Sequence, residues 1–395
     1  MSKKRIMIIA ASKLPIPAYK GGATETLITN LLNDKLIVDN DNYSIDVYSH
    51  CEGEKIDGKN VNYYFKKENK IEKIVFYFFW FIRQCSRKKF PIPDFFPLRI
   101  AMSTELNNYD IIILEGNKDQ VCCLRRIYKG KIGLHIHTVM TLTNEIFGAK
   151  SVIKKCDFLI ANSDYTKKVL SSINPYEANK IITIKNCIKI SDISSCNTKM
   201  RDKFREVNKI NDEFVFVYCG RLEPGKGVLE LIKALKISKS KSKLLIIGSS
   251  WFSSNKKTKY VDDLMREAKE LGNQIQFTGY VDHKNIGEYY KIADVAIMPS
   301  IYQEAAGLVA LEAQAAGLPI IISNVGGISE FVHPQSSLKI NIDDNFINSL
   351  ANMINEISLN KDLYNYEKKL SQQYINRFNI DEYSKKFIDV FNRFS

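Results

Sequence analysis

Short apolar runs alternate with amphipathic stretches along this chain, and the alternation occurs twice. In the first half, residues 5–10, 45–48, 110–115, 132–137, 157–161 and 181–184 read as strands, with helices over 23–36 and 165–172 between them. In the second half, strands are predicted at 214–218, 244–247, 275–277, 295–298 and 319–323, with helices at 228–237 and 261–271. The last of these helices puts Val261, Leu264, Met265, Ala268 and Leu271 on one face. Strands that alternate with helices imply parallel sheets covered on both faces. The pattern predicts an α/β architecture of two Rossmann-like, doubly wound domains. Their expected spans are 1–195 and 196–375, with the polar stretch 191–212 as linker. Residues 376–395, helical in pattern over 381–394, are expected to cross back to the first domain. In open parallel sheets ligands bind beyond the carboxyl ends of the strands, so the chemistry is sought in the loops there.

Length agrees with that division, because 395 residues exceed one ordinary core and suit two domains of roughly 150–200 each. The eight cysteines form no Cys-x-x-Cys pair, which argues against a zinc or redox motif and for a reducing compartment. The apolar run at 6–11 follows a basic start but is too short for a signal peptide, so a cytoplasmic protein is expected. The longest apolar run, 74–82, has nine residues, whereas a bilayer needs about 20. Net charge is +13, which fits nucleic acid, an anionic membrane or anionic substrates. No helix-turn-helix, zinc-finger or RNA-recognition signature is present, so no nucleic-acid partner is expected. Part of the excess is background in a chain rich in Lys, Ile and Asn.

The sharpest segment is PSIYQEAAGLVALEAQAAGLPIIISNVGG, 299–327. A loop follows a strand, a helix opens near Gly307, and Gly317 with Pro319 ends it. Small residues at the helix start leave the N–H groups of Gly307, Leu308 and Val309 reachable, which is the chemistry of an anion site. Glu312 stands among aliphatic neighbours and needs a partner, and a carboxylate accepts well from two sugar or ribose hydroxyls. Glu304, in the loop before the helix, is positioned to reach the other end of the same ligand. Structural salt bridges are the plain alternative for both. The second segment is FVFVYCGRLEPGKGVLELIKAL, 214–235, in which Arg221 offers a planar fork and Lys226 a mobile point charge for a diphosphate. Its spacing is not that of a P-loop. The third is the pair Gly21 and Gly22, which opens the first helix and allows close backbone approach, as an ordinary turn also does. The fourth is LHIHTV, 134–139, where His135 and His137 share a face at a strand end, and His137 is better set to reach a cleft. Two histidines alone do not make a metal site.

Together these segments resemble the retaining family 4 glycosyltransferases of the GT-B fold, in which two Rossmann-like domains face each other across a cleft. The resemblance covers nearly the whole chain in the expected order: Gly21-Gly22, the strand-end histidine, ANSDYTKK at 161–168, ITIKNCIKI at 182–190, GRLEPGKG at 220–227, and Glu304 with Glu312. It implies that Arg221 and Lys226 bind the donor diphosphate and that Glu304 contacts the transferred sugar. Ala306, Gly307, Leu308 and Val309 would line the sugar and phosphates, and Glu312 would hold the ribose. Gly21 and Gly22 would approach the phosphates from the first domain, with His137 near the reacting centre and His135 as second choice. No metal and no cofactor beyond the donor itself are implied. Two departures stand out: Asn186-Cys187 replaces the usual Asn-Gly, and Ala306 replaces a frequent aromatic. The wording EAAGLVALEA is similar to members that build bacterial surface polysaccharide.

The expected reaction is transfer with retention of a hexose or N-acetylhexosamine from a UDP-sugar to a glycan, lipid-linked or protein-linked acceptor. Positioning and electrostatics would supply most of the catalysis. A sugar-nucleotide 2-epimerase shares the two-domain plan and is the nearest rival. A basic nucleic-acid-binding protein is the rival from another class. Asp39-Asn40-Asp41 has the letters of a metal-binding motif but sits in a polar connection and reads as a turn. The segment 73–90 mixes aromatics with Lys73, Arg83, Arg87, Lys88 and Lys89, which suits peripheral contact with the anionic inner face of a membrane and equally a buried helix.

Overall fold

A computed structural model of the chain describes residues 3–10, 14–19, 22–49, 56–66, 74, 77–78, 81, 100, 104–138, 148–195, 199–250 and 258–394. The chain forms two units: Met1–Lys185 with Ile380–Ser395, and Asn186–Asn379.

The first unit holds seven strands: β1 (Lys4–Ile9), β2 (Tyr43–Ser49), β3 (Val61–Phe65), β4 (Ile111–Glu115), β5 (Lys131–Ile136), β6 (Phe158–Ala161) and β7 (Ile181–Thr183). All pair in parallel in the order β3-β2-β1-β4-β5-β6-β7. The second holds β8 (Val215–Cys219), β9 (Lys243–Ile247), β10 (Ile275–Gly279), β11 (Val295–Met298), β12 (Ile320–Ser323) and β13 (Lys339–Ile340), parallel in the order β10-β9-β8-β11-β12-β13. The chain therefore reverses direction across each sheet, between β1 and β4 and between β8 and β11. Such switch points open a crevice at the carboxyl ends of the two central strands.

Strands buried on both faces read as unbroken apolar runs. Ile6 to Ile9 and Ile111 to Leu114 are all essentially inaccessible. Helix Lys259–Ala268 starts at Thr258, whose side chain accepts from the Val261 N–H. Val261, Leu264 and Ala268 face the core, but Met265 is exposed. Regular helix ends at Ala268, a 3-10 stretch Lys269–Gln274 follows, and Gly272 breaks its geometry.

The first boundary falls between Lys185 and Asn186 rather than at 195. Ile188 and Ile193 are buried in the second unit's core, and the Ile188 N–H donates to the Phe378 carbonyl. The stretch read as a linker contains helices Ile190–Ser194 and Lys199–Val207. Asn186 and Cys187 are both buried there. Helix Ile380–Phe394 packs in the first unit, with Phe394 stacked on Phe158 and Asn392 accepting from the Tyr43 hydroxyl.

Candidate active site

In the second unit, the loops after β8 and β11 are fastened together. The Ile301 N–H donates to the Gly225 carbonyl at 3.0 Å. Gly227 has φ +70, and a Cβ there would lie 1.8 Å from the Pro299 carbonyl oxygen. Only glycine permits both the backbone turn and that approach. The Tyr302 ring lies against Gly225, where a Cβ would come within 2.0 Å of it.

This fastening brings Lys226 to Glu304. The Lys226 ammonium donates to Glu304 Oε1 at 2.7 Å, and the Ser300 hydroxyl donates to the same oxygen at 2.6 Å. The ammonium also sits over the Tyr302 ring, 4.8 Å from its centre. Burial works against the Lys226 charge, but the Glu304 carboxylate outweighs it and holds Lys226 above its ordinary pKa. The backbone of Glu304 is pinned from the far side, since its carbonyl accepts from the Gly327 N–H at 2.7 Å. Arg221 is half exposed and pairs with Glu223 at 3.0 Å, and the Tyr302 hydroxyl points to Glu223 at 3.5 Å. Arg221 is thus tied to the Lys226–Glu304 pair through Glu223 and Tyr302. Sequence reasoning missed Glu223, Tyr302 and Ser300, although all three lie inside the two segments it singled out.

Helix Leu308–Ala315 begins at Gly307, and no side chain caps it. Its first N–H groups point out of the helix, as an anion site requires. Ala306, Leu308 and Val309 pack partly against the core. Glu312 has found protein partners: the Tyr290 hydroxyl donates to Oε2 at 3.0 Å, and His283 Nε2 lies 3.0 Å from Oε1. The hydrogen bond to Glu312 holds His283 above its ordinary pKa. Neither partner was found in the sequence, where nothing in their spacing links them to Glu312.

The remaining expected residues lie in the first unit. Gly22 starts helix Ala23–Leu32 at φ +106, and a Cβ there would meet Glu25 Oε2 at 2.2 Å. Gly21 lies outside the described residues. His135 is inaccessible on β5, and His137 lies just beyond the strand end with its side chain 13% exposed. Asn162, in the ANSDYTKK motif, donates to the His137 carbonyl at 3.1 Å. Glu115, at the end of β4, reaches both histidines and was not anticipated. The donor atoms of Glu115, His135 and His137 lie within 4.8 Å of one another, a set a metal ion could use. However, Glu115 Oε2 stands only 2.7 and 2.9 Å from the two ring nitrogens. Ligands about 2.0–2.2 Å from a tetrahedral ion spread wider than that, so the geometry is that of direct imidazole–carboxylate contacts.

Residues 200–377 match the family model described as Glycosyl transferases group 1. The segment bearing Arg221, Lys226, Glu304 and Glu312 is therefore similar to that family. Among relatives, the chain is 30% identical over 197 residues to the lipopolysaccharide 1,2-N-acetylglucosaminetransferase of Salmonella typhimurium, covering 46% of this chain and 49% of that one. It thus spans about half the length of that relative. It is 25% identical over 341 residues to spore coat protein SA of Bacillus subtilis, covering 83% of each. The matched family and the Salmonella relative are glycosyltransferases. Among solved structures, Anabaena Alr3699/HepE in complex with UDP and glucose aligns with a TM-score of 0.73 at 19% identity, over 98% of this chain and 99% of that one. The fold is GT-B.

Proposed function

We propose that this chain is a retaining glycosyltransferase. It transfers a hexose or N-acetylhexosamine from a UDP-sugar to a glycan, lipid-linked or protein-linked acceptor in bacterial surface-polysaccharide or glycoconjugate synthesis. The observation that carries the reading is the pair of part-buried Lys226 and buried Glu304 beside the uncapped helix at Gly307. An ammonium and free N–H groups answer a diphosphate, and a carboxylate answers sugar hydroxyls. The relatives support it: one is an N-acetylglucosaminetransferase of lipopolysaccharide, and one fold neighbour was solved with UDP and glucose.

In this reading Lys226 and Arg221 hold the diphosphate and offset charge on the leaving group. Glu304, with Ala306, Gly307, Leu308 and Val309, surrounds the sugar, and Glu312 takes the ribose hydroxyls in exchange for His283 and Tyr290. Gly22 approaches the phosphates and His137 the reacting sugar. The acceptor hydroxyl attacks on the face from which the diphosphate leaves, and a phosphate oxygen of the leaving group takes its proton. No metal or further cofactor enters this scheme.

The work would take place in the cytoplasm, with peripheral contact at the inner membrane face. Segment 73–90 lies largely outside the described residues, but Ile74, Tyr77, Phe78 and Phe81 within it are more than half exposed. No helix among the described residues is long and apolar enough to cross a membrane.

The test is a thermal-shift screen of the full chain against UDP-, GDP- and ADP-sugars, followed by product analysis with lipid-linked acceptors. A UDP-sugar is expected to raise Tm, and the product is expected to keep the donor's anomeric configuration. Inverted product refutes retention. Donor epimerised without acceptor favours the 2-epimerase, and salt-sensitive DNA or RNA binding without sugar-nucleotide affinity favours the nucleic-acid reading.

A further inference from the structure

The first unit holds an ionisable trio, two members buried and His137 partly exposed, that the proposed chemistry uses only in part. Glu115 ends β4, and His135 lies directly opposite it in register on β5, with His137 two residues on. Glu115 is 1% exposed and His135 not at all. A carboxylate at that depth requires compensation. A single oxygen, Oε2, receives it: His137 Nε2 hydrogen-bonds to it at 2.7 Å, and His135 Nδ1 lies 2.9 Å away as a charge neighbour, out of line for a hydrogen bond.

We propose that Glu115, backed by His135, is a positioning residue that fixes His137 as its Nε2–H tautomer, leaving Nδ1 as a hydrogen-bond acceptor for a sugar hydroxyl. This rests on the reading of His137 as the residue beside the reacting sugar. An ionised carboxylate can only accept, so the ring nitrogen facing it carries the hydrogen. In a neutral imidazole the other nitrogen then holds the lone pair.

The surroundings favour the neutral ring. Burial and then the neighbouring His135 push His137 below its ordinary pKa, against the pull of Glu115 and Glu25. Among the described residues, the titratable groups that act on it are Glu115 from β4, His135 from β5 and Glu25 from helix Ala23–Leu32. Helix Ile380–Phe394 contributes the Phe387 ring, 5.6 Å from that of His135 and edge-on to it. The carboxylate is held ionised in turn, because the two histidines overcome the burial that would raise its pKa. The backbone is fixed as well. Asn162 holds the His137 carbonyl, and its own side-chain oxygen accepts from the Thr166 hydroxyl at 2.9 Å. Ring and carbonyl are therefore oriented from two separate elements.

The chain has five histidines, so spectra of the 15N-histidine-labelled full chain resolve individual tautomers. His137 is expected as the neutral Nε2–H form at neutral pH, and an Nδ1–H form overturns the proposal. In Glu115→Gln the tautomer is expected to become mixed and kcat to fall roughly 100-fold, with donor KM nearly unchanged. Glu115→Asp, which keeps the carboxylate, is expected to restore the tautomer and part of kcat. A folded Glu115→Gln with wild-type tautomer and kcat overturns the proposal. Should that variant not fold, the wild-type spectrum decides by itself. A His137→Ala enzyme with full kcat overturns the sugar-contact reading and the proposal with it. An essential His137 in the Nδ1–H form overturns the positioning role alone.

Discussion

Lys226 and Glu304 depend on each other more than on any other neighbour. Lys226→Met leaves the Glu304 carboxylate buried with only Ser300 beside it, which is expected to cost roughly 3 kcal/mol. The double variant Lys226→Met/Glu304→Leu is expected to be more stable than that single variant, while both lose donor turnover. Urea unfolding of the set checks this, and an unchanged midpoint in Lys226→Met refutes it. Gly326→Ala strikes the same loop from behind. Its φ is +57 and a Cβ would lie 2.1 Å from the Glu304 carbonyl oxygen, so a loss above about 1 kcal/mol is expected, with weakened donor binding by calorimetry. At this scale the sequence singled out Lys226, Glu304 and Glu312 by residue type, and the structure brings the first two together and gives the third protein partners. The sequence was silent on Tyr290, His283 and Glu115, because their roles come from pairings across elements far apart in the chain.

Among the elements, the helix after β6 makes the clearest case. Ser163 precedes helix Asp164–Ile173, and its hydroxyl accepts from the Thr166 N–H. Ser163→Ala is expected to cost about 1 kcal/mol, read from the shift in thermal unfolding. Central strands were visible in the sequence because burial on both faces writes them as apolar runs. Of the four edge strands, β7 and β10 were visible too, but β3 and β13 were not: β3 reads VNYYF, with a polar residue interrupting it, and β13 has only two residues. The helix expected over 23–36 is two, because Asp34 caps a second short helix, Lys35–Val38, by accepting from the Leu36 N–H. Helix Lys199–Val207 was read as linker because it buries none of its side chains deeply and so carries a weak apolar stripe.

At the level of the whole molecule, a histidine site in each unit links stability to pH, and the two links have opposite sign. In the first, His137 and Glu115 both sit below their ordinary pKa values. Their stabilising contribution is full above the unfolded histidine value of about 6.5 and is lost as pH falls through the folded values. In the second, His283 is raised by Glu312, so its contribution is present below about 6.5 and lost as pH rises through the folded value. Calorimetric scans are expected to show the first unit weakening in mild acid and the second weakening toward alkaline pH. His283→Gln is expected to abolish the second trend and leave the first.

Helix Ile380–Phe394 leaves the ribosome after the whole of Asn186–Asn379, yet it completes the unit that lies upstream of that stretch. During synthesis Met1–Lys185 must wait, with Tyr43, His135 and Phe158 still lacking their cover, until the intervening 194 residues of Asn186–Asn379 have been made. Domains ordinarily fold in order of emergence; here the later one is able to mature first. Stopping translation at Asn379 is therefore expected to spare the downstream unit and to leave the upstream one sensitive to protease.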